Sequence, residues 1–138
     1  MFNAPVAPVQ PGIFEHIPVG SPVSYGIVVK PDGSIMGPSN PVLRGTTVVM
    51  YMTGLGPTSP SLATGQPGPV PPATTNYEPV VALNNGGVPV LFSGIAPGFI
   101  GLDQVNFVIP TNAPVGSNVK LSVGVNGAFS QDSRIAVQ

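Results

Sequence analysis

The chain has 138 residues, enough for one domain with one core. Lys and Arg number 4 against 5 Asp and Glu, leaving net charge −1, and charged residues are 7% of the chain where an ordinary soluble domain has about 25%. Four scattered cations cannot build a nucleic-acid surface or a patch for an anionic membrane, and with 0 Cys the chain has no thiol chemistry, Fe–S site or Cys-based zinc.

The 18 Gly and 19 Pro would fit a disordered chain. Yet Leu, Ile, Val and Phe make up about 30% of residues, above the roughly 20% at which chains fail to fold. The prolines also fall between apolar runs, as turn punctuation. No apolar run reaches the length of a membrane-spanning helix, so no membrane insertion is expected. The opening MFNAPVAPVQ has neither a basic segment nor an apolar h-region. An exported protein would therefore need a signal outside this sequence.

Helical periodicity is absent, and short β-branched runs bounded by turn residues recur instead. Residues 1–10 are extended and broken by proline, which predicts an N-terminal arm or edge strand. Residues 11–138 are read as a single domain. Residues 24–30 (SYGIVVK) predict a strand, and Pro31-Asp32-Gly33-Ser34 predicts a turn. Residues 46–53 carry the strongest strand pattern: Val48, Met50 and Met52 on one face, Thr47, Val49 and Tyr51 on the other. Residues 54–75 read as a long loop. Residues 80–83 and 88–92 flank Asn84-Asn85-Gly86-Gly87, a hairpin signal because Asn and Gly tolerate positive φ. Residues 102–109 place Val105, Phe107 and Ile109 on one face, and residues 119–125 turn Val119, Leu121, Val123 and Val125 inward. Asn126-Gly127 turns the chain, and residues 128–137 return as the last strand. The spacing predicts an all-β, antiparallel β-sandwich of about seven to nine strands.

Groups that carry chemistry are sparse. Gly54-Leu55-Gly56-Pro57 lacks the Lys of a phosphate loop, and Pro57 lacks a donor. His16 is the single histidine, without a Gly-x-Ser-x-Gly elbow or partners for zinc. Glu15, Asp32, Glu78, Asp103 and Asp132 are scattered, with no Asp-x-Asp cluster for calcium. No catalytic, metal-binding or cofactor-binding residue is assigned, and no cofactor is expected. Tyr25, Tyr51, Tyr77 and Phe99 are the aromatics that could lie beneath a sugar ring. Tyr77, in the polar segment 74–78, is the one expected to be exposed as a ligand surface. Segment 57–75 holds Thr58, Ser59, Ser61, Thr64, Thr74 and Thr75 among prolines, which fits an O-glycosylated or an unmodified extended loop.

Low charge has a consequence of its own. Soluble monomers keep apart partly through net charge, and they guard edge strands with Lys or Pro. A mean hydropathy of +0.36 with so few ions favours association. The arm, through Phe2, Val6 and Val9, is expected either to add a strand to a neighbour's open edge or to fold back onto its own sheet.

An ordered set of short pieces spans nearly the whole chain. It comprises Pro11-Gly12-Ile13-Phe14, Asp32-Gly33-Ser34, Asn40-Pro41 with Gly45, and Tyr51-Met52-Thr53-Gly54-Leu55-Gly56-Pro57. It continues with Gly86-Gly87-Val88-Pro89, Ala96-Pro97-Gly98-Phe99-Ile100-Gly101-Leu102, Gln104-Val105-Asn106 and Ala113-Pro114-Val115-Gly116. In these the chain resembles an uncharacterised C-terminal domain family of large secreted proteins of soil acidobacteria, the Solibacter type. The resemblance implies an Ig-like sandwich on an exported protein, secreted or at the cell surface, and brings no catalytic residues. Family members usually carry an aromatic residue where Asp103 stands, which makes Asp103 a candidate contact surface particular to this chain. The leading expectation is a non-catalytic extracellular structural module, a cell-surface or filament building block that self-associates through edge strands or meets neighbouring extracellular domains. The alternative is a carbohydrate- or matrix-binding module. An enzyme ranks last, since it would need two converging carboxylates or His16 joined to an acid and a nucleophile.

Overall fold

Two alternating strands at the middle of the chain organise the larger of two facing sheets. The structure is a computed structural model that describes residues 10–56, 58–59, 67–68, 73–99 and 102–138. Strand β5 (Thr47–Thr53) pairs antiparallel with β11 (Asp103–Val108), opposing Met52 to Asp103, Met50 to Val105 and Val48 to Phe107. Those side chains point inward. The intervening pairs, Tyr51 with Gln104 and Val49 with Asn106, point outward.

On its far edge β5 is covered by two short segments end to end, β1 (Gly12–Ile13) and β4 (Val28–Val29). Beyond β11 come β10 (Val90–Ile95), β7 (Thr74–Thr75) and β6 (Thr58–Ser59). The second sheet runs from β13 (Ala128–Phe129) through β12 (Gly116–Val125) and β8 (Val80–Leu83) to β9 (Gly86–Val88), with β14 (Ser133–Val137) also on β12. A two-stranded ladder of β2 (Glu15–His16) and β3 (Tyr25–Gly26) lies beside β14. The named ladders are antiparallel, and the described residues contain no helix. The molecule is a β-sandwich.

The core fills the space between the sheets. Val48, Met50, Met52, Val105 and Phe107 of the larger sheet meet Val81, Leu83, Leu121, Val123 and Ile135 of the smaller one. Each large apolar side chain so buried contributes about 1.5–3 kcal/mol. The inward faces expected for 46–53, 102–109 and 119–125 are the buried ones.

The described residues form 14 strands rather than about seven to nine. Strands that change sheets account for much of the difference. Residues 24–30 split at Ile27: β3 belongs to the small ladder and β4 to the larger sheet, while Ile27 bonds Phe14 on one side and Tyr51 on the other. Pro89 marks a second crossing, between β9 and β10. The Asn-Gly hairpin is also tighter than expected. Asn84 (φ 49°) and Asn85 (φ 69°) form a two-residue turn, and Gly86 and Gly87 already belong to β9. Within the expected loop 54–75, β6 and β7 pair with each other.

Phe2, Val6 and Val9 lie outside the described residues. The chain reaches β1 through Gln10, whose N–H donates to Gly54 C=O at 2.8 Å. Gly54 has φ 80°, and a Cβ there would lie 2.0 Å from the Gln10 carbonyl oxygen. Gly33 has a similar φ of 85° but nothing near its Cβ position. Gly33→Ala should therefore cost about 1 kcal/mol, the left-handed backbone term alone. Gly54→Ala adds a backbone collision and should cost about 3 kcal/mol. Urea unfolding of the two variants tests this, and equal losses would contradict it.

Candidate functional site

The outward faces of the two sheets differ in chemistry. On the larger sheet the outward residues run in register across β4, β5, β11 and β10. One row is Val29, Val49, Asn106 and Phe92, and the next holds Tyr51, Gln104 and Gly94. None is charged. Apart from Gly94, which is buried, they are half-buried, and Gln104 Nε2 donates to Asn106 Oδ1 at 2.9 Å, tying the two amides together. Phe92 closes over Gly94, where an added Cβ would lie 2.8 Å from the ring tip.

The smaller sheet carries charge and a groove. Its central strand presents Lys120, Ser122 and Gly124 outward, opposite Arg134 on β14, Ala82 and Val80 on β8, and Phe129 on β13. A groove of about 380 Å³ runs over Ser122, Gly124 and Ala82, with Phe129 on one wall and Asn85, Lys120 and Asp132 at its rim.

Asp103 lies in the interior, not on a contact surface. It shares the inward parity of Val105 and Phe107, is 6% exposed, and accepts a hydrogen bond from Leu55 N–H at 3.0 Å. Burial pushes its carboxyl above the usual 3.8, against the opposing pull of the Leu55 N–H. Its place in the fold is to hold the turn after β5 against the start of β11. Tyr77 also departs from expectation: it is half-buried and packs against the core rather than standing free. Tyr25 is core, its hydroxyl donating to Ser117 C=O at 2.6 Å.

Among the described residues the remaining polar groups do not converge on one reaction centre. His16 Nε2–H donates to Met36 C=O at 3.2 Å, while Ser133 Oγ–H donates to Glu15 Oε2 at 2.5 Å. A serine and a carboxylate thus meet without the histidine between them. Asp32 sits in its turn, where the Ser34 hydroxyl and then the Ser34 N–H hold its carboxyl below 3.8. Among the described residues no three His, Asp or Glu side chains gather as metal ligands. Of the Ser and Thr in segment 57–75, Thr58 is buried, so it is no acceptor for a glycan in the folded chain.

Neither the uncharged face nor the Phe129 groove is assigned by sequence reasoning. The first was readable from the outward parity of residues 47–53 and 102–109. The second depends on an irregularity in the last strand. No protein-family model, curated protein or solved structure matches the chain.

Asp103 gives the fold a pH dependence of unusual sign. Its folded pKa lies above its unfolded one, so the folded state holds the proton more tightly. Its contribution to stability is greatest at a pH below the unfolded value and falls as pH rises toward the folded one. Asp103→Asn keeps an acceptor for Leu55 N–H and removes the titration. The difference in stability between Asp103→Asn and the parent should shift in favour of the variant as pH is raised from 3.5 to 7, pH values on the two sides of about 3.8. Urea unfolding at each pH measures it, and a difference constant with pH would show that Asp103 titrates alike in both states.

Proposed function

We propose that this chain is a non-catalytic structural module, an Ig-like sandwich of an extracellular building block, whose larger sheet packs against a second copy of the same chain. The carrying observation is the uncharged outward face of that sheet. Val29, Val49, Tyr51, Phe92, Gln104 and Asn106 form it in register, and two copies meeting there bring no like charges together. Half-buried aromatics beside amides suit a partner surface of the same kind: the rings supply apolar area, and the amides can donate and accept. The net charge of −1 offers little long-range repulsion to oppose it.

Edge pairing by the arm belongs to the same reading. Gln10 lies at the edge of the larger sheet that β1 and β4 occupy, its N–H bonded to Gly54 C=O. A face contact and an arm contact respond to different changes. Sedimentation velocity over a concentration series should show the parent chain associating. Asn106→Lys combined with Val49→Lys should leave it monomeric with an unchanged far-UV spectrum, because two buried cations per face oppose contact. Removal of residues 1–9 should leave association intact if the face carries it and abolish it if the arm does. A parent chain that stays monomeric at the highest concentration would refute the self-packing reading. Association with a neighbouring domain alone would show as binding in mixtures but not in the isolated chain.

A further inference from the structure

Phe129 stands 79% exposed on a sheet face, an unusual place for a large ring. Its position has a definite cause. The β12–β14 ladder opposes Leu121 to Ser133, both facing the core, and continued without interruption it would set Phe129 opposite Val125, also inward. Instead β13 opposes Phe129 to Gly124 and Ala128 to Val125, one residue out of step. A bulge between β13 and β14 therefore turns Phe129 outward.

The bulge is held at both ends. Ser130 N–H donates to Val123 C=O at 2.8 Å, and Ser130 Oγ accepts from Val123 N–H at 2.9 Å. The Gln131 side chain then bonds both the N–H and the C=O of Ile13 across the sandwich, at 3.2 and 2.7 Å. Bulges so secured re-aim side chains, and they concentrate beside sites.

The ring lies against Gly124, where a Cβ would come within 3.0–3.1 Å of its edge. Covering a strand glycine with an aromatic ring is a known stabilising device, but it does not require the groove beside the ring. Past Phe129 the floor is small, Ser122 and Ala82. At the rim, Lys120 and Asp132 bring one cation and one anion, and their charged ends have no hydrogen-bond or ion-pair partner among the described residues. Asn85 adds an amide on the positive-φ hairpin turn, set there by backbone geometry.

We propose that this groove is a binding site for a neutral glycan, one sugar ring lying flat on Phe129 and its hydroxyls reaching Asn85, Lys120 and Asp132. A pyranose has an apolar C–H face and a polar hydroxyl edge, which matches apolar Phe129 and Val80 on either side of Gly124 and a mixed polar rim. Within the groove's lining the charge of Lys120 is balanced by that of Asp132, so the lining itself carries no net charge to select an ion. The shallow cleft admits a chain passing over the sheet rather than an enclosed small molecule. This site lies on the opposite sheet from the self-packing face and does not depend on that reading.

The test is amide chemical-shift mapping of the full chain with hexaoses of glucose, mannose and xylose, in β-1,4 and β-1,3 linkage, at millimolar concentration. The expected result is saturable shifts at Ala82, Ser122, Gly124 and Phe129 for at least one sugar. Phe129→Ala and Phe129→Leu should both weaken binding about tenfold or more, while Phe129→Trp keeps it. Unchanged shifts elsewhere establish that the variants fold. Leucine covers Gly124 without a flat ring, so equal binding by Phe129→Leu would overturn the stacking role. No shift with any sugar, shifts outside the groove, or tighter binding of adenosine at the same amides would overturn the glycan assignment.

Discussion

The pairing of β5 with β11 sets both sides of the larger sheet at once. Opposing Met50 to Val105 sends Val48, Met52 and Phe107 into the core and Tyr51, Gln104, Val49 and Asn106 to the outside. A slip of one residue in β11 would bury its two amides and expose Val105 and Phe107, and a slip in β5 would bury Tyr51 and expose Val48, Met50 and Met52. The cost of stranding buried amides, about 1–3 kcal/mol each, makes that register hard to leave. The same parity places Asp103 inside, at the end of the ladder opposite Met52. The buried carboxylate is thus a consequence of the register, and the Leu55 N–H partly compensates it.

With so few ions, cross-chain ties fall to bonds between side chains and backbone. Gln131 serves Ile13 as a neighbouring strand would, one amide to one N–H and one C=O. The guanidinium of Arg44 caps Ala113 C=O through Nε at 2.8 Å and also through its terminal nitrogen. Tyr25 and Arg134 reach Ser117 C=O and Ser24 C=O. Lys30, Asn40 and Ser34 form a chain of bonds that closes the turn at Asp32. The neutral bonds among these, those of Gln131 and Tyr25, contribute about 1 kcal/mol each and are little affected by salt. Even Met36 takes part, its sulfur accepting Ala136 N–H at 3.3 Å inside the core. The outward residues in register across β4, β5, β11 and β10 are left uncharged without loss of these ties.

The period-2 pattern made the core strands legible, since Val48, Met50, Met52, Val105, Phe107, Leu121 and Val123 are buried where alternation put them. Asp103 was legible too, by one more step back along the same count. The departure from the family pattern points to a contact surface there, and the register overrides that expectation by burying a residue type that is seldom buried. Strand changes at Ile27 and Pro89 have no periodic signature, because the local backbone stays extended as the chain passes from one sheet to the other. Phe129 was hidden for a related reason. It has the same parity as Ser133, Ile135 and Val137, so alternation alone points it inward, and only the hydrogen bonds of Ser130 reveal the extra residue that turns it out.

The two outward faces make different demands on their surroundings. A flat face of rings and amides gains from being covered, since contact removes apolar area from water at about 25 cal/mol per Å². The smaller sheet has the opposite character: Lys120, Arg134 and Asp132 would lose hydration if covered, and the Phe129 groove is of use only while open. A copy packed on the larger sheet leaves the smaller one facing water. Assembly through one face and glycan contact through the other would then not compete, and a pair joined face to face would carry its two Phe129 grooves on opposite outer surfaces, each open to its own glycan chain.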